Sequence, residues 1–260
     1  MVNPIRRSRG RTLWILLMVV LAAGAASLAL RDRVRDAWDR ASGMAEQRTD
    51  IGERRTVRLP DGSRVQLGVA TTLRYATEFP PASRPVALAG EGFFAVAKDT
   101  TRPFVVTAGP AAVRATSAQF DVRAYPEENA ARIVVDSGEV EVARASGVGG
   151  SWTLLPPRSL ARVARDGAVT RRDSITPADF LGWRSGRIVF NDVPLRAALT
   201  ELARWQDLDL QIGDSVVANR RVTATFASHQ TVTEILDGIA LQLGARYERS
   251  GRTIVFRRER

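Results

Sequence analysis

The chain has 260 residues, no cysteine, a single histidine and a formal charge of +10. Without cysteine there is no disulfide, thiolate nucleophile or sulfur-ligated zinc, and one imidazole cannot build a nitrogen-ligated metal centre alone. Eight Arg and three Asp in residues 1–40 supply half of the charge excess, and the rest is scattered with nothing longer than arginine pairs such as Arg171-Arg172 and Arg257-Arg258, so a solvated basic surface is expected and nucleic acid is not a partner.

Residues 12–30 carry no charged side chain and are bounded by Arg11 and Arg31. A helix of that length rises to about 28 Å, close to the ~30 Å of bilayer hydrocarbon, so a single transmembrane helix is predicted there. Residues 1–11 form a basic tail with Arg6, Arg7, Arg9 and Arg11, while Arg31, Arg33, Arg35 and Arg40 follow the span. The basic count is nearly even on the two sides, yet a basic cluster leading straight into an apolar run is how export signals and signal anchors begin. The body is therefore placed on the exported side of the membrane. Ala23-Gly24-Ala25 resembles a cleavage site, so a removed signal peptide is the alternative to a permanent anchor. Residues 31–50 read as a juxtamembrane segment, with Val34, Ala37, Trp38 and Ala41 spaced for one helical face.

From 51 to 172 short alternating runs and tight turns predict an all-β domain. Thr56 to Leu59 alternates, Pro60-Asp61-Gly62-Ser63 turns, and Val65 and Leu67 resume with period two. Proline presets one dihedral of such a turn and glycine accepts positive φ. Later runs, among them Val86 to Leu88, Phe93 to Val96, Phe104 to Val106, Phe120 to Ala124 and Ile133 to Val135, recur at about 8–12 residues, the spacing of a sandwich, barrel or solenoid. Ser146-Gly147-Val148-Gly149-Gly150-Ser151 is expected to be a flexible hairpin tip.

Residues 173–186 read as a linker helix begun by Thr176-Pro177-Ala178-Asp179, with a capping hydroxyl and proline at the first helical position. In 187–260 a strand, a helical stripe (Leu195, Ala198, Leu199, Leu202, Ala203) and a second strand at Leu208 and Leu210 are followed by the same series. The stripe recurs 37 residues later at Val232, Ile235, Leu236, Ile239 and Ala240. Two βαβ-like halves are predicted, closed by Thr253 to Phe256. The expected fold is thus a mainly β exported domain followed by a small α+β (βαβ-βαβ) domain, behind a single N-terminal transmembrane helix.

No constellation supports catalysis, and no cofactor or metal is expected. His229 sits at a helix start with no G-x-S-x-G elbow in the chain. Asp207 and Asp209 flank Leu208 and would share the wet face of a half-buried strand, and Asp136 and Glu139 read as turn and strand-edge acids.

Several stretches in order resemble the FecR family of membrane-anchored regulators. They are Gly52-Glu53-Arg54-Arg55 leading into Leu59-Pro60-Asp61-Gly62-Ser63-Arg64-Val65, then Val86 to Val96 (VALAGEGFFAV), Arg102-Pro103-Phe104-Val105-Val106, Phe120 to Tyr125 (FDVRAY) and Ser137-Gly138-Glu139-Val140. Trp183 to Phe190 (WRSGRIVF) with Pro194-Leu195 looks like the family's entry into its C-terminal domain, which is similar to the short N-terminal domain of secretins and TonB-dependent receptors.

The resemblance implies signalling by protein contact. Such proteins sit in the inner membrane of Gram-negative bacteria and sense the signalling domain of a TonB-dependent outer-membrane receptor, often one for iron–siderophore complexes. They control an extracytoplasmic-function sigma factor. The predicted edge strand Val222, Thr223, Ala224, Thr225 and Phe226, with Arg220 and Arg221 beside it, is the candidate partner surface, because edge pairing requires no catalytic residue. The family usually carries a cytoplasmic helical domain ahead of the span, whereas eleven residues precede it here, too few for a stable isolated helix. The expectation is either a longer product or a sensor half whose output runs through another protein. The alternative from a different class is an exported binding or adaptor module, gripping a secretion assembly or cell-wall polymer without sigma-factor contact.

Overall fold

The computed structural model describes residues 43–145, 151–227 and 229–259. The expected span at 12–30, the basic tail, the Ala23–Ala25 cleavage site and the glycine-rich tip at 146–150 lie outside the described residues. Among the described residues no helix is long and apolar enough to cross a membrane.

The β-region builds thirteen strands. In chain order they are β1 (Met44–Arg48), β2 (Arg55–Arg58), β3 (Arg64–Leu67), β4 (Thr72–Ala76), β5 (Arg84–Ala95), β6 (Phe104–Ala108) and β7 (Ala111–Ala115). Then follow β8 (Ala118–Ala124), β9 (Ala130–Gly138), β10 (Val140–Arg144), β11 (Thr153–Leu155), β12 (Ser159–Ala164) and β13 (Val169–Arg172). β1 falls in the stretch read from sequence as juxtamembrane, and it pairs with β4.

The long strand β5 organises this region. Its first half pairs with β4 and, in parallel, with β6; its second half pairs with β3 and β8. The change of partners falls at Gly90, whose φ is +122°. A Cβ at Gly90 would lie 2.3 Å from Thr71 Oγ1, the atom that accepts a 3.0 Å hydrogen bond from the Glu91 N–H. Only glycine gives both the dihedral and the close approach that let one strand serve two sheet halves. β10 and β11 pack on β12 from the opposite half, and both halves share one apolar core. At its centre Phe94 stacks on Phe120 with ring centroids 5.3 Å apart, and Phe104 lies 6.0 Å from Phe94. The Pro60–Ser63 turn closes as expected, the Leu59 N–H reaching the Ser63 carbonyl at 2.8 Å. Asp61 also holds the fully buried Arg84 at 2.6 Å.

Residues 173–186 do not form the expected α-helix. Two short 3-10 turns, Pro177–Asp179 and Gly182–Ser185, take its place, and the Thr176 hydroxyl makes no capping bond. Ile175 and, in the second turn, Trp183 are buried, so the segment is fastened at these two points.

The C-terminal region has its own core. Its elements are β14 (Ile188–Pro194), α1 (Leu195–Gln206), β15 (Asp209–Ile212), α2 (Ser215–Ala218), β16 (Arg221–Phe226), α3 (Val232–Leu243), β17 (Ala245–Ser250) and β18 (Thr253–Arg258). Both helical stripes face inward, with Leu195, Leu199, Leu202, Ile235, Leu236 and Ile239 buried. Thr231 and Glu234 form a reciprocal capping box at the start of α3. The order strand, helix, strand repeats as predicted, but the pairing is not that of a βαβ unit. β14 pairs antiparallel with β16, while β15 joins a separate sheet as the parallel neighbour of β18, which also holds β17. Each repeat therefore gives one strand to each sheet. Asp207 also departs from expectation: it ends α1 in the left-handed region at φ +49° and pairs with Arg252, so it does not share a strand face with Asp209.

Candidate functional site

The two cores meet through charge. Strand register sets Glu91 of β5 opposite Arg123 of β8, Arg123 opposite Arg132 of β9, and Arg132 opposite Arg162 of β12. Directly opposed residues in antiparallel strands share a face, so this rung carries one acid and three arginines side by side. The buried Glu91 accepts from Arg123 at 3.1 Å and from Arg132 at 2.8 Å. Arg123 also reaches Glu128 at 2.6 Å and, on α1 of the C-terminal region, Glu201 at 2.5 Å.

Glu201 and Arg204 stand one turn apart on α1 and join at 2.8 Å. Arg204 reaches back to Glu127 at 2.6 Å and to Glu128 at 3.2 Å in the β-region. Its guanidinium lies 3.8 Å from the ring centroid of Tyr125, and Arg123 lies 4.9 Å from the same ring. The Tyr125 hydroxyl donates to the Val69 carbonyl at 2.8 Å, which fixes the ring under both cations. Burial would raise the Glu201 carboxyl, but Arg123 and Arg204 hold it down to about 2. Burial also works against the Arg123 charge, and Glu201, Glu91 and Glu128 overcome it and raise its pKa.

The 3-10 turn supplies the other fastening. Trp183 Nε1 donates to Asp121 Oδ1 at 3.1 Å. Asp121 is fully buried; its Oδ2 makes no hydrogen bond, and Arg132 stands 3.7 Å from it. Burial, with Glu91 adding to it, pushes the Asp121 carboxyl up to about 8. Arg54 donates to the Trp183 and Arg184 carbonyls, each at 3.0 Å, and the Gly52 N–H donates to the Arg204 carbonyl at 2.9 Å. At Gly52, φ is +70° and a Cβ would lie 2.9 Å from the Trp205 carbonyl. Arg184 lies 3.5 Å above the Phe93 ring centroid and exchanges hydrogen bonds with Gln66.

The partner surface expected from sequence lies elsewhere, on β16. That strand pairs only with β14, so its other edge has no neighbouring strand among the described residues. Val222 and Phe226 are buried in the core, Ala224 is half-buried, and Thr223 and Thr225 are exposed. The Thr223 N–H faces away from β14, toward Gln242 Oε1 at 3.3 Å, and the period of two turns Thr225 the same way. Arg220 and Arg221 have contacts within the chain: Arg220 caps the last turn of α3 at the Leu243 carbonyl, and the exposed Arg221 pairs with Asp192. His229 is exposed in the turn before α3. No group of three or more metal-ligating side chains occurs among the described residues.

The family description FecR protein matches residues 45–141, and the description FecR, C-terminal matches residues 187–256. The chain belongs to the FecR family. Two crystal structures of a protein from Parabacteroides distasonis ATCC 8503, assigned as an anti-sigma factor, share this fold. Both superpose with a TM-score of 0.75 at 28% identity, covering 84% and 83% of this chain and 100% of theirs. No curated protein matches the chain. Within this FecR-family chain the charged junction was not anticipated from sequence. Its local signs were Glu127-Glu128 beside Tyr125, and Glu201 with Arg204 off the apolar stripe of α1.

Proposed function

We propose that this chain is an anti-sigma-type signalling regulator held at the bacterial inner membrane by residues 12–30. Its C-terminal domain meets the signalling domain of a TonB-dependent outer-membrane receptor on the periplasmic side. The outcome reaches an extracytoplasmic-function sigma factor by contact between proteins, with no bond made or broken by the chain. The observation that carries this reading is that both FecR-family regions occur, in order, on a fold resembling a protein assigned as an anti-sigma factor.

Two features of the structure support it. The outer edge of β16 pairs with no strand among the described residues, and an added strand would pair there at Thr225, displacing the Gln242 Oε1 that now accepts from the Thr223 N–H. The junction between the cores is polar, so the relation of the two domains is held by ion pairs and not by an apolar seam. Transcription from extracytoplasmic-function promoters, compared in cells with and without the chain, tests the proposal. A change confined to one such regulon is expected; identical transcript levels in both strains would contradict it.

A further inference from the structure

The charged rung is balanced at one end only. Glu91 neutralises Arg123 and Arg132, and Arg123 has two further acids. Arg162, at the other end, makes no hydrogen bond or ion pair with any described residue, although it faces Arg132 directly across the strand pair. Arg172 stands on the same side of β13, two residues beyond Thr170, the residue opposite Arg162. Partial burial, and then Arg132 and Arg172, lower the pKa of Arg162, the mark of a cation in a positive field. Like charges placed opposite each other in a sheet repel, and the charge of Glu128 works against this repulsion without forming an ion pair with Arg162.

This end of the rung opens into a cavity of about 250 Å³. Arg132 and Arg162 line it from the sheet, Phe180 from the 3-10 segment, and Arg187 and Val189 from the C-terminal domain. Two guanidiniums approach the Phe180 ring, Arg132 at 5.4 Å and Arg172 at 5.8 Å from its centroid. Arg132 Nε is buried without a hydrogen-bond partner. Among the described residues the Arg187 guanidinium makes one hydrogen bond, at 3.3 Å to Ser185 Oγ. Of the acids that line the cavity, Glu91, Glu128 and Glu201 are already held by Arg123, Arg132 or Arg204. Only Asp179, exposed at the rim, has no ion pair among the described residues.

We infer that this cavity is a binding site for a small oxyanion, a carboxylate- or phosphate-bearing molecule held by Arg132, Arg162 and Arg187. Unpaired guanidinium N–H groups match such oxygens in geometry and charge. The volume lies just below the usual range of ligand pockets and suits a metabolite-sized molecule, not a folded partner. An apolar portion of the ligand would rest on Phe180 and Val189. Because Arg162 belongs to the β-region and Arg187 to the C-terminal domain, the bound anion bridges the two and strengthens their docking. The inference does not depend on the sigma-factor reading.

Calorimetric titration of the purified full-length chain with inorganic phosphate and with malonate, against chloride at equal ionic strength, tests it. Saturable binding of one or both anions is expected, and which of them binds assigns the source as phosphate or carboxylate. Arg162→Gln and Arg187→Gln should each weaken binding about tenfold, the loss of one charge-assisted hydrogen bond. Asp179→Asn should tighten it. Arg162→Gln should also raise the melting midpoint without added anion, because it removes the opposed cation, so weakened binding in that variant is not misfolding. Absence of saturable binding by both anions, or affinity unchanged in Arg162→Gln, would overturn the inference.

Discussion

Arg123 of β8 and Glu201 of α1 meet at 2.5 Å across the boundary between two separate apolar cores. Neither residue belongs to a core, and both are mostly buried. Removing one member of such a pair leaves the other charged in a poorly solvated place, typically a cost of about 3–5 kcal/mol. Here Arg123 keeps Glu91 and Glu128, so the loss falls on docking more than on either core. Glu201→Lys, which sets a third cation beside Arg123 and Arg204, should split thermal unfolding of the chain into two transitions. Scanning calorimetry checks this; one unchanged transition would mean that the junction does not couple the domains.

The burial of Asp121 makes stability depend on pH in an unusual direction, against the pull of its hydrogen bond from Trp183. The Asp121 carboxyl sits at about 8 when folded, against about 3.9 when unfolded. The folded state therefore holds a proton that the unfolded state has lost, and stability decreases as pH rises from about 4 to about 8. Asparagine keeps an oxygen for the Trp183 N–H and cannot ionise. The melting midpoint of Asp121→Asn relative to the unaltered chain should rise between pH 5 and about pH 8 and level off above it. A difference independent of pH would show that Asp121 does not titrate in that interval.

Gly90 tests the strand that serves both sheet halves. With φ at +122° and Thr71 Oγ1 2.3 Å from where a Cβ would be, Gly90→Ala must shift either β5 or the Thr71 backbone. Strain of this kind costs about 1–3 kcal/mol, and overpacking adds a similar amount. Chemical denaturation should report a loss of at least about 2 kcal/mol. Gly62, where a Cβ meets nothing within 4 Å, should lose less on the same substitution.

What was legible in the sequence follows the range of the forces involved. The stripe from Leu195 to Ala203 and its recurrence at Val232 to Ala240 could be read because helix burial repeats locally. The Pro60–Ser63 turn and the short strands were legible for the same reason. The assignment of β14 and β15 to different sheets was not, since pairing depends on partners far along the chain. The stretches Gly52 to Arg55 and Trp183 to Phe190 stood out as family-like, but nothing local showed that Arg54 bonds the Trp183 carbonyl 129 residues away. Thr176 had the makings of a cap, yet the chain turned as a 3-10 segment to bury Trp183 against Asp121. The contacts of Arg220 and Arg221 with the end of α3 and with Asp192 were not legible, because those groups are remote in sequence.

The free edge of β16 carries the account's central claim, that the C-terminal domain recognises a receptor's signalling domain by strand addition. A photocrosslinking amino acid at Thr225, in the full-length chain in intact cells, tests it most directly. Thr170 on β13, exposed like Thr225 but outside the C-terminal domain, serves as the control position. The account predicts that Thr225 captures the N-terminal signalling domain of a TonB-dependent receptor and that Thr170 does not. Capture of no receptor from Thr225, or equal capture from both positions, would contradict it.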